Sequence, residues 1–155
     1  MKDTLEIQDT TEENTSMKMI ETQVNNGMIE ETTFTDNRFT IKLTKTMLEK
    51  SIMDATKPIQ DWYSKALCCT FDGLEKGECD EYDAEFIFGA ETTIKFYKSK
   101  SRGDKRFSIK GLRKYADVGD YLTVQEAYKY SENGEGGVHS IIISIDEPEV
   151  LERRE

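Results

Sequence analysis

The chain has 155 residues, of which 36% are apolar and 34% are charged, and its formal net charge is −10. This length accommodates one domain with a core, and the low apolar fraction predicts that part of the chain lies outside that core. No apolar run is as long as a membrane span, and the N-terminus lacks the charge and apolar order of a signal peptide, so we expect a cytoplasmic protein without membrane contact.

The first 36 residues contain nine acidic residues and two lysines, without a sustained apolar period. This composition is typical of a flexible tail. Scattered apolar residues between Met17 and Ile29 leave open a short helix or strand that orders against the domain or a partner. We therefore assign residues 1–36 to an acidic tail, 37–146 to a single β-rich domain and 147–155 to a charged C-terminal tail.

The domain begins with a strand followed by two short helices. Apolar and polar residues alternate from Arg38 to Thr44, which predicts a half-buried strand. Thr46 and Glu49 have the spacing of a capping box, which predicts the start of a helix. Pro58 predicts the start of a second helix, and its buried stripe is expected to consist of Ile59, Trp62, Tyr63 and Ala66.

The second half of the chain is dominated by strand patterns. The acidic segment Asp72–Glu85 has no apolar period and predicts a loop, whereas Gly111–Ala116 predicts a short helix or turn. We predict strands at Ala84–Phe88, Thr92–Tyr97, Phe107–Ile109 and Tyr121–Glu126, and a final apolar strand at Val138–Ile145. The expected fold is α+β and β-dominated: a small open barrel or pseudobarrel of about six strands with two or three short helices.

Residues that carry catalytic or metal chemistry are sparse. The single histidine, His139, is expected in a loop or at a strand edge, and no nucleophile has an activating neighbour. Cys68, Cys69 and Cys79 lack the spacing of a disulfide or zinc set, so we expect reduced cysteines that act as small hydrophobes. The acidic segment lacks the ligand order of a calcium loop or a metal-dependent nuclease. We predict no catalytic residue, metal or cofactor.

The segment Lys95–Lys114 has nine basic residues and one acidic residue, a charge of +8, so the remainder of the chain carries −18. Charge segregation of this size is typical of a binding surface, and nucleic-acid phosphate is its most frequent partner. A solvated hairpin is the alternative interpretation. The predicted nucleic-acid contacts are Lys98, Lys100, Arg102, Lys105, Arg106, Lys110, Arg113 and Lys114.

A two-stranded ribbon fits the DNA major groove, and a hairpin turn around Gly103 and Asp104 would project the basic side chains together. Arg102 and Arg106 suit bidentate base contacts, while the lysines suit phosphates. Tyr97 and Phe107 could stack on bases, although the alternation favours a core position for Phe107.

The segments FTIKLTKTMLEKSI and TIKFYKSKSRGDKRFSIKGLRKYADVGDYLTV resemble parts of the DNA-binding pseudobarrel of plant B-three transcription factors and of the effector or target-recognition domains of some restriction endonucleases. The likeness spans Phe39–Val124, a little over half of the chain, and is a pattern of strands and turns. It implies two arms that enter the major groove. The hairpin from Lys98 to Lys110 corresponds to the second arm, and Lys42 and Lys45 lie near the first.

These observations predict a non-enzymatic, restriction-related or phage-related module that binds double-stranded DNA, with the acidic tail competing for the basic hairpin. The alternative is an acidic phage-type inhibitor, a counter-defence protein that mimics nucleic acid and binds a host nuclease or other defence protein. Its contacts would include Asp80, Glu81, Asp83 and Glu85. A small enzyme is a third hypothesis, and the oligomeric state stays open.

Overall fold

A computed structural model describes residues 20–25, 28–130 and 137–148 of the chain. The greater part of each predicted tail, residues 1–19 and 149–155, lies outside the described residues. These described residues divide into two compact units, which are described separately: the first contains those up to Arg38 and those within Gln125–Ile141, and the second contains Phe39–Val124 and residues 142–148.

In the first unit, four strands are ordered β1-β2-β7-β8. Their full bounds are β1 Ile20–Asn25, β2 Met28–Lys42, β7 Tyr121–Tyr130 and β8 Val138–Asp146. Strands β1 and β2 pair antiparallel, with Asn25 opposite Met28. Residues 20–25 and 28–36 of the predicted tail therefore form strands. A strand can form there without apolar alternation, because the hydrogen bonds of the ladder join backbone N–H and C=O groups. Phe34 and Ala127 supply buried side chains.

The second unit contains a seven-strand, mixed, open sheet in the order β2-β7-β8-β4-β5-β6-β3. The strands not yet defined are β3 Met53–Asp54, β4 Cys79–Phe86, β5 Glu91–Lys98 and β6 Lys105–Ile109. Strand β4 pairs parallel with β8 and antiparallel with β5, while β6 pairs antiparallel with both β5 and β3. The predicted strand-dominated α+β class is confirmed.

Helix α1 (Lys45–Lys50) begins two residues earlier than the sequence pattern predicts. Its N-cap is Thr44, whose Oγ1 accepts a hydrogen bond from the backbone N–H of Met47 at 3.3 Å. The predicted cap at Thr46 is therefore wrong. Thr44 takes the cap because its backbone is extended at the end of β2. The helix ends at Ser51, which adopts a left-handed conformation with φ of 56°.

Helix α2 (Lys57–Leu67) has Pro58 in its first turn and buries the predicted stripe of Ile59, Trp62, Tyr63 and Ala66, so both predictions are confirmed. Its aromatic side chains pack on the sheet: the Trp62 ring lies 5.6 Å from Phe39, and the Tyr63 ring lies 4.2 Å from Phe96. Burial of such rings contributes about 1.5–3 kcal/mol each. This layer fixes the inner face of β5 and β6, which carry four of the nine basic residues of the segment Lys95–Lys114.

Strand β4 corrects the prediction of a loop before Ala84, because it begins at Cys79. Its inward positions are Asp80, Tyr82, Ala84 and Phe86, so only part of the inward face is apolar and the alternation is hidden in the sequence. Cys68 and Cys79 also differ from the prediction, because both are exposed rather than core residues, although all three cysteines are free.

Candidate nucleic-acid interface

The predicted contacts of the basic segment fall into two groups at opposite ends of the five-residue strand β6, separated by about 13 Å along the strand. The turn cluster, at the β5–β6 turn, consists of Lys98, Lys100, Arg102, Lys105 and Arg106. The distal cluster, after β6, consists of Lys110, Arg113 and Lys114. The structure therefore does not bring all eight residues together on one hairpin tip.

The turn cluster is built around the carboxylate of Asp104. Its Oδ2 accepts hydrogen bonds from an amino nitrogen of Arg102 and one of Arg106, each at 3.1 Å. The backbone N–H of Asp104 donates to Ser99 Oγ at 2.9 Å, which fixes the turn. The two arginines predicted to read bases are thus both engaged by an internal anion.

Further carboxylates lie at the same end of β6. Arg106 Nε is 3.7 Å from Asp54 Oδ1, and the Arg106 side chain is only 21% exposed. Lys105 Nζ lies 3.9 Å from Asp72 Oδ1. Because three carboxylates flank this cluster, its effective positive charge is smaller than the sequence count indicates.

The turn is also covered by the segment that precedes β4. The backbone N–H of Gly77 donates to Lys98 O at 2.9 Å, and the N–H of Lys98 donates to Glu78 O at 3.3 Å. A Cβ built on Gly103 would lie 3.3 Å from the side chain of Lys76. The turn cluster therefore lies against a neighbouring loop rather than projecting alone into solvent.

The distal cluster has a different environment. Lys110, Arg113 and Lys114 are all exposed, and Gly111 opens a 3-10 turn at Leu112–Lys114 with a φ of 75°. Among residues 31–130 and 137–148, whose side chains the structure describes, no ion pair forms at any of these three basic side chains. Their exposure makes the three side chains accessible to an external anion.

Helix α1 packs against the 3-10 turn of the distal cluster. Leu48 and Leu112 are buried, and a small cavity of about 70 Å³ lies between their elements. The contact places Lys45 on an element next to the distal cluster, where its Nζ lies 3.8 Å from Glu49. Lys42, at the end of β2, has its Nζ 5.6 Å from the Tyr121 ring centroid.

The predicted acidic contacts are divided between the two faces of β4. Glu81, Asp83 and Glu85 share its outward face and form the outer carboxylate row, with Lys95 opposite Glu81 on β5. Asp80 points to the other face, where it accepts hydrogen bonds from the hydroxyls of Tyr63 and Tyr82. The structure thus brings three of the four residues together.

The contacts of Asp80 are internal. Burial raises the pKa of Tyr63, and the hydrogen bond to Asp80 raises it further. Burial also raises the pKa of Tyr82, with a contribution from its hydrogen bond to Cys69. Both phenols therefore stay protonated and donate to Asp80, so this half-buried carboxylate is engaged on the inner face of the sheet.

The two aromatic residues that could stack on bases, Tyr97 and Phe107, lie on opposite faces of the sheet. Phe107 is completely buried and contacts Phe39 and Phe96, so the core interpretation is confirmed. Tyr97 lies opposite Arg106 on the outward face of the sheet, and Lys95 Nζ is 6.0 Å from its ring centroid. Tyr97 is half-buried and remains a candidate contact.

The histidine lies in the first unit, on β8. His139 Nε2 is 2.9 Å from Glu126 Oε2, while Asn37 Nδ2 donates to Glu126 Oε1 at 3.1 Å. The Glu126 side chain is only 12% exposed, so these contacts compensate a nearly buried carboxylate.

Two exposed aromatic residues, Phe88 and Tyr115, were not identified from the sequence. Both lie in turns, where large apolar residues are less frequent than polar ones, and this placement is the available signal.

Within the described residues, no group of three or more histidine, cysteine or acidic side chains is arranged to hold a metal ion. No helix of that part of the chain is long and apolar enough to cross a membrane. Comparison with known protein families, characterised proteins and solved structures gives no match for this chain.

Proposed function

We propose that the chain is a non-enzymatic module that binds double-stranded DNA, with the distal cluster as its principal phosphate contact. The observation that carries the proposal is the exposure of Lys110, Arg113 and Lys114 without an ion pair in the described ranges. Exposed cations of this kind release counterions when they bind phosphates, which favours association despite the net charge of −10.

The turn cluster has a second, conditional role in the proposal. Arg102 and Arg106 can read bases only after they leave Asp104, so base reading would follow an initial contact through the lysines. Lys98 and Lys100, which belong to the same turn cluster, suit contacts with phosphates. The acidic residues before β1 would compete with DNA for these cations at low salt.

The proposal includes the pseudobarrel type of fold and its two arms. It is supported by the succession of β2 and α1, by the β5–β6 hairpin and by the contact between α1 and the 3-10 turn of the distal cluster. That contact would place Lys45, near the first arm, beside the distal cluster. The two arms would then present one basic surface to a duplex.

Fluorescence anisotropy with a labelled random-sequence duplex at two salt concentrations tests the proposal. We expect salt-sensitive binding by the full chain. Arg113→Glu/Lys114→Glu should weaken binding about 100-fold and lower the salt slope by about 2, because two phosphate contacts are lost. The matched control is Lys57→Glu/Lys65→Glu, which makes the same charge change at exposed positions of α2. Equal losses in both variants, or no binding by the unaltered chain, would reject the proposal.

The outer carboxylate row favours a second candidate function. Three carboxylates at alternate positions of β4 are spaced at about 6.8 Å and face outward, as a mimic of nucleic-acid phosphates requires. A chain of this kind would occupy the DNA groove of a host nuclease or another defence protein. Asp80 is not part of this surface.

The second candidate predicts inhibition of a duplex-cleaving nuclease by the full chain. Glu81→Gln/Asp83→Asn/Glu85→Gln should abolish that inhibition, because it removes the row without changing side-chain shape. The control Glu31→Gln/Asp36→Asn/Glu49→Gln makes the same charge change at exposed positions elsewhere. Inhibition that survives in the row variant would exclude the row as the contact.

A further inference from the structure

Two turns of the second unit expose large apolar side chains beside the distal cluster. Phe88, in the β4–β5 turn, is 58% exposed, and Tyr115, after the 3-10 turn, is 43% exposed. Their ring centroids are 5.0 Å apart. A solvent-exposed pair of contacting aromatic rings is unusual for a surface without a ligand.

The backbone of the β4–β5 turn holds Phe88 in place. The N–H of Phe86 donates to Ala90 O at 2.8 Å, and the N–H of Gly89 donates to Phe86 O at 2.7 Å. Gly89 has a φ of 108°, which side chains rarely allow. The N–H of Ile87 donates to Ile143 O, so the turn is attached to β8 as well.

The rings form the beginning of a stack. Buried Phe86 lies nearly parallel to Phe88, with an interplanar angle of 7° and centroids 5.3 Å apart, while Tyr115 is tilted by 59° relative to Phe88. One face of Phe88 rests on the core ring. Its large exposure leaves the other face open, so a planar ligand can extend the stack.

A cleft of about 310 Å³ is lined by Phe86 and Tyr115, the two rings that Phe88 contacts, but not by Phe88 itself. Lys110 and Lys114 supply two cations to the same cleft, and Asp83 and Glu91 supply two carboxylates. Its volume is at the lower end of the range for small-ligand sites. Cations suit phosphates, and carboxylates accept hydrogen bonds from the amino groups of a base.

We propose that Phe88 and the neighbouring cleft together bind an unpaired nucleobase of a nucleic-acid strand and its flanking phosphates. The base stacks on the open face of Phe88, the tilted Tyr115 ring contacts its edge, and Lys110 and Lys114 contact the neighbouring phosphates. Aromatic stacking beside a cationic track is the usual arrangement for single-stranded segments. The core of a protein–protein interface is usually depleted of charged residues, whereas four charged residues line this cleft. The inference rests on the proposed function, because the distal cluster supplies both lysines.

Anisotropy with three labelled probes tests the inference on the full chain: a blunt duplex, the same duplex with an unpaired thymidine tail, and the tail strand alone. We expect the tailed duplex to bind more tightly than the blunt one. Phe88→Ala/Tyr115→Ala should weaken binding of the tailed duplex about tenfold to a hundredfold, to the level of the blunt duplex. Blunt-duplex affinity should stay unchanged.

Ile87→Ala is the matched control, because Ile87 is 43% exposed in the same turn but has no aromatic face. It should change tail affinity less than twofold, and Phe88→Tyr should retain the tail preference. A second measurement places 5-iodouracil in the tail. Photo-crosslinks to Phe88 or Tyr115, located by mass spectrometry, would support the stack.

The outcomes separate the two proposals. Binding of the blunt duplex without any tail preference, unchanged in Phe88→Ala/Tyr115→Ala, would overturn the stacking site and leave the proposed function standing. Equal losses from Ile87→Ala and Phe88→Ala would also overturn it, because they indicate general apolar contact. No binding of any probe would overturn both.

Discussion

The two ends of β6 carry basic residues in similar density but differ in what surrounds them. At the turn, Asp104 and Asp54 contact Arg106, and Asp72 lies near Lys105. At the other end, the distal cluster is exposed and forms no ion pair in the described ranges. Proximity in sequence therefore predicts neither proximity in space nor free charge.

The difference assigns different tasks to the same residue types. An arginine held by two carboxylates stabilises its own turn, and its removal is expected to affect folding more than binding. An exposed cation without a partner contributes little to folding and can neutralise a phosphate. Stability and affinity measurements on single residues at each end should consequently give opposite results.

The largest stability effect is expected for Arg106→Ala. Its guanidinium contacts Asp104 at 3.1 Å and Asp54 at 3.7 Å, and its side chain is only 21% exposed. We expect a loss of about 1–2 kcal/mol in the free energy of unfolding, because charged hydrogen bonds and packing are lost together. Urea unfolding measures the change.

Arg113→Ala is the counterpart at the distal end and should change the free energy of unfolding by less than about 0.5 kcal/mol, because Arg113 is exposed. Equal losses at both positions would show that the two ends do not differ in structural role. The urea dependence should have the same slope in both variants, so that the midpoints are comparable.

The second prediction concerns a substitution that should leave the basic side chains of the turn without their internal carboxylate, as at the distal end. Asp104→Asn removes the charge that holds Arg102 and Arg106, and should strengthen duplex binding about threefold to tenfold at low salt. Asp61→Asn is the control, because it frees Lys57 on α2 from an exposed ion pair with the same change in net charge. If fluorescence anisotropy shows the same gain in duplex affinity for both variants, the gain is an effect of net charge only.

The helices and the core were predictable from local patterns. The stripe of α2 from Ile59 to Ala66 and the inward position of Phe107 follow from the periods 3.6 and 2, which depend on residues near in sequence. The start of β4 at Cys79 was not predictable in this way. Its inward face includes Asp80, whose burial depends on Tyr63, a residue contributed by α2.

The candidate site was predictable in composition but not in arrangement. A charge count identifies Lys95–Lys114 as basic, yet the partners Asp54 and Asp72 come from distant segments and enter only through the β3–β6 pairing and the loop after α2. The aromatic pair of Phe88 and Tyr115 is likewise formed by two turns that are separated in sequence. Such contacts have no local period and require the fold.

The smallest expected effect distinguishes the backbones of the two ends. Gly103 has a φ of 72° and Gly111 a φ of 75°, so alanine is strained at both positions and should cost about 1 kcal/mol. At Gly103, an added Cβ also approaches the Lys76 side chain at 3.3 Å, whereas at Gly111 nothing lies within 4 Å. Because Lys76 can move, the loss for Gly103→Ala should exceed that for Gly111→Ala by only a few tenths of a kcal/mol. Urea unfolding of the two variants measures this difference in the free energy of unfolding. The double variant Gly103→Ala/Lys76→Ala should remove the difference, because it removes the side chain that the added Cβ approaches. If the difference persists, the additional loss at Gly103 arises in the turn itself rather than from its contact with Lys76.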